Sequence, residues 1–418
     1  MERWKMLMMK KNKTPKRILY IQRPNGGGSS MSLLELVKAL DKKQFTPIVL
    51  FYQDNVFRDH YECEGINVIC VKGFNAIPPR EHGAKNKFYI RSINELFFTT
   101  LPLVIYLVWI IKKNNIDLVH QNLGFDKAAM IASVITRTPQ VCHFRLFSGI
   151  SKTKKFLSGF VDAAIYISES IKNHYSKYHS ELTSSQVIYN PIARNNYNKK
   201  DVRKLLKQEL FIPENNLIIS NVGRITPWKG QLYFLQALKE VIKKNPNIKV
   251  LIVGSTRDTQ KDLDYFSSLK GFTLQTPELK DKVIFTGLRT DVGKIMAASD
   301  IVVHTAIEPE PFGRVIAEAM AAETPVIASN EGGVSEIIEH HVTGVLIAPK
   351  NIIELQNAIL ELINSNELSK SISIKAKDFV LQHFSIEQHS KNMQQLYSKV
   401  LLNRRRGCAE VGIDRQAF

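Results

Sequence analysis

Short apolar runs alternate with segments whose apolar positions recur every three or four residues, and this alternation persists along most of the chain. Arg17–Gln22 is a compact apolar run, too short for a helix and followed by the Pro24–Ser30 loop. It predicts a buried strand. Met31–Leu40 then places Leu33, Leu34, Val37 and Leu40 on one helical face. Phe45–Phe51, Ile66–Val71, Asp117–His120, Gln140–Phe144 and Ala163–Ser168 read as further strands. The second half repeats the scheme. Asn216–Val222, Lys249–Val253, Val283–Phe285, Ile301–His304 and Pro325–Ala328 read as strands, Gly230–Lys243 as a helix, and two helical stretches follow Pro349. Strands spaced by helices predict parallel sheets covered on both faces.

A chain of 418 residues is long for one core and comfortable for two. The pattern divides it into a basic extension over 1–16, a Rossmann-like domain over 17–190 and a second over 191–383. A helix over 384–403 and a disordered tail over 404–418 complete it. Tyr189-Asn-Pro-Ile192 is the expected hinge, because Pro191 stops the last strand and a polar linker follows. Ser385 is placed to cap the final helix.

Charge changes the picture unevenly. The net charge is +18, but residues 1–190 hold 27 Lys+Arg against 14 Asp+Glu, and the rest hold 30 against 25. A basic first half suits a soluble basic surface or contact with an anionic membrane. No nucleic-acid-reading motif accompanies the charge, which argues against a DNA or RNA partner and against a non-enzymatic nucleic-acid binder. Leu96–Ile111 is apolar apart from Thr99, Thr100 and Pro102. At sixteen residues it falls short of the ~20 a spanning helix needs. A buried helix of the first domain is the first reading, a helix lying in the bilayer interface the second, and a span the last. Cys63, Cys70, Cys142 and Cys408 form no Cys-x-x-Cys pair, so neither a disulfide framework nor a zinc site is expected. A cytoplasmic protein, soluble or peripheral on the inner face of the plasma membrane, follows as the expectation.

Candidate chemistry concentrates at Glu308-Pro-Glu-Pro-Phe-Gly-Arg-Val-Ile-Ala-Glu318. Glu310 and Glu318 stand eight positions apart, around a Pro-Phe-Gly turn that opens a helical pattern. Read as one helix face, this places one acid at a helix mouth and the other about two turns along. A helix mouth suits an anion, and flanking carboxylates accept hydrogen bonds from sugar hydroxyls. Upstream, Arg224 and Lys229 follow a predicted strand, where ligands of open α/β sheets lie. Fixed cations there would stabilise a departing diphosphate. His143 and His120 each end a predicted strand, and Arg145 follows His143 by two positions. Gly26-Gly-Gly28 follows the first strand, but it is neither Gly-x-Gly-x-x-Gly nor a P-loop. That spacing excludes the dinucleotide oxidoreductase alternative.

The run from Glu310 through Ala317–Ala321, Pro325–Ser329, Gly332-Gly333, Glu336-Ile-Ile338 and Gly344 resembles the Glu-x7-Glu signature of the retaining glycosyltransferases of family 4. Val222-Gly-Arg224 and Lys229-Gly230 support it. The resemblance implies the GT-B fold, with two Rossmann-like domains facing across a cleft and a C-terminal helix crossing back to the first domain. It implies a nucleoside-diphosphate sugar as donor, no cofactor and no metal. By resemblance, Arg224 and Lys229 hold the diphosphate, Glu318 the ribose, and Glu310 the transferred sugar with the Phe312 and Gly313 N–H groups. Gly28 and Ser29 face the donor phosphates, and His143 lies near the reacting sugar. The acceptor is expected to be a glycan or glycolipid, lipid-linked or membrane-borne, in bacterial surface-polysaccharide synthesis. A small soluble acceptor is the alternative. Two departures stand out. Glu323 occupies a position that is usually glycine, and Asn190-Pro191 replaces an Asn-Gly. Glu308 lies outside the signature and is expected to face solvent.

Overall fold

A computed structural model describes residues 14–22, 27–53, 57–71, 96–176, 184–194 and 196–410. The basic extension up to Lys13, Gly26 and the tail beyond Glu410 lie outside the described residues. The chain divides into two compact units. One holds the described residues up to Ile167, Ile171–Ile188 and those from Ile386; the other holds Ser168–Ser170 and Tyr189–Ser385.

In the first unit, β1 (Lys16–Gln22), β2 (Phe45–Phe51), β3 (Asn67–Cys70), β4 (Leu118–Gln121), β5 (Gln140–Phe144), β6 (Ala163–Tyr166) and β7 (Ser185–Val187) form one sheet. Every pairing is parallel and the order is β3-β2-β1-β4-β5-β6-β7. The strands read as near-continuous apolar runs because both faces are covered. One face packs under Leu33, Leu36 and Val37 together with Met393, Leu396 and Tyr397 of the last helix. The other packs under Leu103, Val104, Leu107 and Ile110.

The second unit repeats the plan. Its strands are β8 (Leu217–Val222), β9 (Ile248–Val253), β10 (Val283–Gly287), β11 (Ile301–His304), β12 (Val326–Ser329) and β13 (Val345–Ile347). Their order is β10-β9-β8-β11-β12-β13, all parallel. In both sheets the strand order reverses between the first strand and the fourth. Ligands of open α/β sheets bind beyond the strand ends at such a reversal.

Several expectations need correction. The first helix spans Gly28–Ala39, not Met31–Leu40. Gly27 adopts φ +117°, which releases the chain into a helical turn three residues early. The three-residue strands β7 and β13 carry too little periodicity to be read from sequence. The last helix runs Ile386–Glu410, through seven residues assigned to a tail. The signature helix begins only at Arg314, because Pro311 and the left-handed Gly313 (φ +94°) keep the preceding residues extended. Glu310 therefore sits in a bridge to Gly332, and Glu318 stands in the second turn of the helix, so the two acids are not successive positions on one helix face. Glu323 keeps the left-handed conformation a glycine would take, at φ +57°. Lys377 binds its carboxylate at 2.7 Å and Lys199 donates to its carbonyl at 2.6 Å.

Leu96–Ile111 forms a π-helical turn, Leu96–Thr100, and a helix, Leu101–Lys113. Leu103, Val104, Leu107, Ile110 and Ile111 face the core. Phe98, Leu101, Ile105 and Trp109 remain exposed, from 45% to 79%. No helix among the described residues is long and apolar enough to cross a membrane.

Candidate active site

The second unit gathers charged side chains at the β8 and β11 ends. Beyond β8 the chain passes Gly223 and Arg224, makes a 3-10 turn over Pro227–Lys229, and enters the helix Gln231–Lys244 at Gly230. Gly230 has φ +67°, and a Cβ there would lie 2.0 Å from the Thr305 carbonyl oxygen. Only glycine lets this turn press against the β11 loop, and the press aims Lys229 at that loop. The Thr305 hydroxyl donates to the Lys229 carbonyl and the Ile307 N–H to the Trp228 carbonyl.

Lys229 is the centre of the cluster. Its ammonium lies 2.5 Å from Glu310 Oε2, 3.3 Å from His304 Nε2 and 4.2 Å from the centre of the Trp228 ring. His304 Nε2 is also 3.2 Å from Glu310 Oε2. Burial alone would raise the Glu310 pKa, but Lys229 and His304 outweigh it and hold the carboxyl well below its ordinary range. Burial, reinforced by Lys229, depresses the His304 pKa, so the imidazole is neutral near pH 7. His304 Nδ1 is buried and finds no hydrogen-bond partner among the described residues. His304 went unassigned in the sequence. The available signal was its place at the end of a predicted strand, six residues before Glu310.

Two glycines shape the other side of Glu310. A Cβ on Gly332 would meet the Glu310 carbonyl oxygen at 2.3 Å, and one on Gly333 the Pro311 carbonyl oxygen at 2.7 Å. The Gly333 N–H donates to the Glu310 carbonyl at 2.7 Å. The Phe312 ring is buried beside Tyr189 and Phe384. The backbone N–H groups of Phe312 and Gly313 donate to no acceptor among the described residues.

Not all expected residues meet directly. Glu318 pairs with Arg314, Nε to Oε1 at 2.5 Å, and not with Lys229 or Arg224. Arg224 has its carbonyl held by Gln231, and its guanidinium has no hydrogen-bond partner among the described residues. Burial, and then the positive charge of Arg257, lower its pKa. Glu308 is exposed. In the first unit, Gly28 and Ser29 form the first turn of their helix. His143, on β5, is fully buried with Arg145 beside it. His120 contacts Tyr397 through Nδ1 at 2.8 Å. Among the described residues no His, Cys, Asp or Glu group is arranged to hold a metal.

Residues 202–379 match the family described as glycosyl transferases group 1. That stretch lies within the second unit. The fold of the chain is GT-B, two Rossmann-like domains of parallel sheet. The chain is similar to N-acetyl-alpha-D-glucosaminyl L-malate synthase of Bacillus anthracis, at 26% identity over 59% of this chain and 62% of the relative. It is similar to lipopolysaccharide 1,2-N-acetylglucosaminetransferase of Salmonella typhimurium, at 27% identity over 56% of this chain and 61% of the relative. In both cases the matched stretch spans less than two thirds of the curated relative. Among solved structures, the HepE protein of Anabaena in complex with UDP and glucose superposes with a TM-score of 0.76 at 27% identity. That match covers 91% of this chain and 99% of the other.

Proposed function

We propose that this group 1 glycosyltransferase moves a sugar from a nucleoside-diphosphate donor with retention of the anomeric configuration, using side-chain cations and no metal. The observation that carries the reading is the cluster at the β8 and β11 ends: an Arg224 guanidinium without a hydrogen-bond partner among the described residues, Lys229 and Glu310 side by side, and Glu318 on the adjoining helix. Arg224 and Lys229 take the diphosphate, whose charge grows as the glycosidic bond breaks, so their hold strengthens toward the transition state. Glu318 receives the ribose hydroxyls. Glu310 receives hydroxyls of the transferred sugar, with the Phe312 and Gly313 N–H groups. Gly28 and Ser29 are assigned to the donor phosphates and His143 to the sugar. UDP and glucose bound by the Anabaena relative support UDP-glucose as the first donor to try.

In this reading the acceptor oxygen attacks the anomeric carbon on the face the phosphate leaves. The C–O bond to the acceptor forms as the bond to the phosphate oxygen breaks. That oxygen keeps the electron pair and takes the acceptor's proton.

The acceptor we propose is a lipid-linked or membrane-borne glycan in surface-polysaccharide synthesis, with the protein peripheral on the inner face of the plasma membrane. The exposed stripe of Phe98, Leu101, Ile105 and Trp109 supports this, ending at Lys112 and Lys113, with the Lys113 ammonium 4.4 Å from the Trp109 ring centre. An apolar stripe with a cationic end suits an anionic bilayer surface. The similarity to a lipopolysaccharide sugar transferase points the same way. The similarity to an L-malate-directed synthase favours the second reading, a small soluble acceptor.

Thermal-shift screening of nucleotide sugars tests the donor assignment. The right donor at 100 times its Kd should add about 2.7 kcal/mol of stability. Arg224→Ala, Lys229→Ala and Glu318→Ala should each lower turnover sharply, and wild-type rates in all three would overturn the site. Sedimentation with anionic vesicles at low salt tests the membrane. No binding by the wild type, or equal binding by Phe98→Ser/Trp109→Ser, would leave the soluble acceptor.

A further inference from the structure

The buried polar groups beyond the strand reversal of the first sheet form one directed chain of hydrogen bonds. Asn122 follows β4; its Nδ2 donates to Gln22 Oε1 at 2.5 Å and to the Ser29 carbonyl at 3.3 Å. Those two bonds fix which way the amide points, leaving Oδ1 on the opposite side. Arg145 Nε donates to that Oδ1 and to the Asn122 carbonyl, each at 3.1 Å. Arg145 Nη2 lies 3.2 Å from His143 Nδ1. Asn122, His143 and Arg145 are all buried, Arg145 to 4% exposure.

A guanidinium only donates and does not lose its proton in a protein. The nitrogen facing it must therefore supply a lone pair. His143 Nδ1 is then the bare nitrogen and Nε2 carries the hydrogen. An imidazolium in this place would set two donors against each other. His143 Nε2 is buried and has no partner among the described residues. A buried N–H without an acceptor marks a place that an oxygen from a ligand or an ordered water completes.

We propose that Arg145 is a positioning residue that locks His143 as the Nε2–H tautomer, so that His143 donates a hydrogen bond to an oxygen of the transferred sugar and never acts as a base. The donor role rests on the reading that His143 meets the sugar; the lock does not. It assigns a task to Arg145 that the signature motif does not supply. It also ties the tautomer to Ser29 through Asn122. With His143 carrying its proton toward the sugar, the acceptor's proton is left to the departing phosphate oxygen.

Long-range 1H–15N correlation spectra of the full chain, labelled at histidine and assigned with His143→Gln, read the tautomer directly. The wild type should show His143 with a protonated Nε2 and an unprotonated Nδ1 near neutral pH. An Nδ1–H tautomer, or two protonated nitrogens, would overturn the lock in the unmodified protein, whatever the variants do. Arg145→Met should release the ring into a mixture of tautomers, and Arg145→Lys should restore the single form. An unchanged single Nε2–H form in folded Arg145→Met would show that Arg145 does not set it. Adding UDP-glucose, or the donor found by screening, should move the Nε2–H resonance. Arg145→Met should lower kcat at least tenfold with a smaller change in KM for the donor, and Arg145→Lys should recover most of it. If the Nε2–H signal ignores the donor and His143→Gln turns over normally, the sugar contact is wrong while the lock stands.

Discussion

Replacing Glu310 by glutamine keeps the shape of the side chain and removes its charge. Glu310 neutralises Lys229, the cation assigned to the diphosphate. Both side chains keep only 13% of their surface. Removing one partner of a fully buried pair costs about 3–5 kcal/mol, because the other charge is stranded. The residual exposure and the Trp228 face under the ammonium reduce this, so about 2–3 kcal/mol is expected for Glu310→Gln. Lys229→Met should cost a similar amount, and the double variant should regain most of the loss, since no charge is then stranded. Calorimetric unfolding of the wild type, the two single variants and the double variant closes this cycle. Additivity within about 0.5 kcal/mol would show that the two side chains are not coupled. The same set predicts the anion site. With its carboxylate neutralised, Glu310→Gln presents an uncompensated Lys229 and should bind UDP about tenfold tighter, about 1.4 kcal/mol, while sugar transfer falls. Looser binding of UDP to Glu310→Gln would refute the view that Glu310 competes with the diphosphate for Lys229. The pH dependence has a definite sign. The folded pKa of Glu310 lies below its ordinary value of 4.5. Its contribution is thus complete above about pH 4.5 and is lost as pH falls toward the folded value. His304, also depressed, works in the same direction from about pH 6.5 downward. Glu310→Gln should flatten the part of the acid slope below about pH 4.5.

Two backbone predictions accompany it. Gly332→Ala should destabilise the second unit by about 3 kcal/mol or more, because φ +69° disfavours a Cβ that would also stand 2.3 Å from an unyielding backbone oxygen; calorimetry showing a loss under 1 kcal/mol would mean the Glu310 bridge is not tight. Glu323→Gly should be about 1 kcal/mol more stable than Glu323→Ala. Both lose the Lys377 pair, so the difference isolates the left-handed turn, and equal midpoints in urea would contradict the strain.

Much of the fold was legible because buried parallel strands leave unbroken apolar runs, as in Tyr20–Ile21 of β1 and Val302–Val303 of β11. The Glu310-to-Gly333 run was legible because its glycines answer steric demands that no other residue meets. Helix starts were read less well. Gly27 carries no side-chain cap, and its unusual dihedral, rather than its neighbours, opens the first helix. The tail was misread because the last helix takes its support from packing on the first sheet, through Met393, Leu396 and Tyr397, and only then continues outward.

The residue string by itself determined two parallel α/β units, the strand ends where charged side chains gather, and the identity of the cations and acids there. Period and side-chain chemistry are local properties, and the string contains them. Only the tertiary structure decided that Lys229 rests on Glu310 rather than standing free, that Glu318 pairs with Arg314, that His304 joins the cluster, and that Arg145 faces His143. Each of those depends on which strands are neighbours and how closely glycines let loops approach, and those distances arise only when segments remote along the chain pack together.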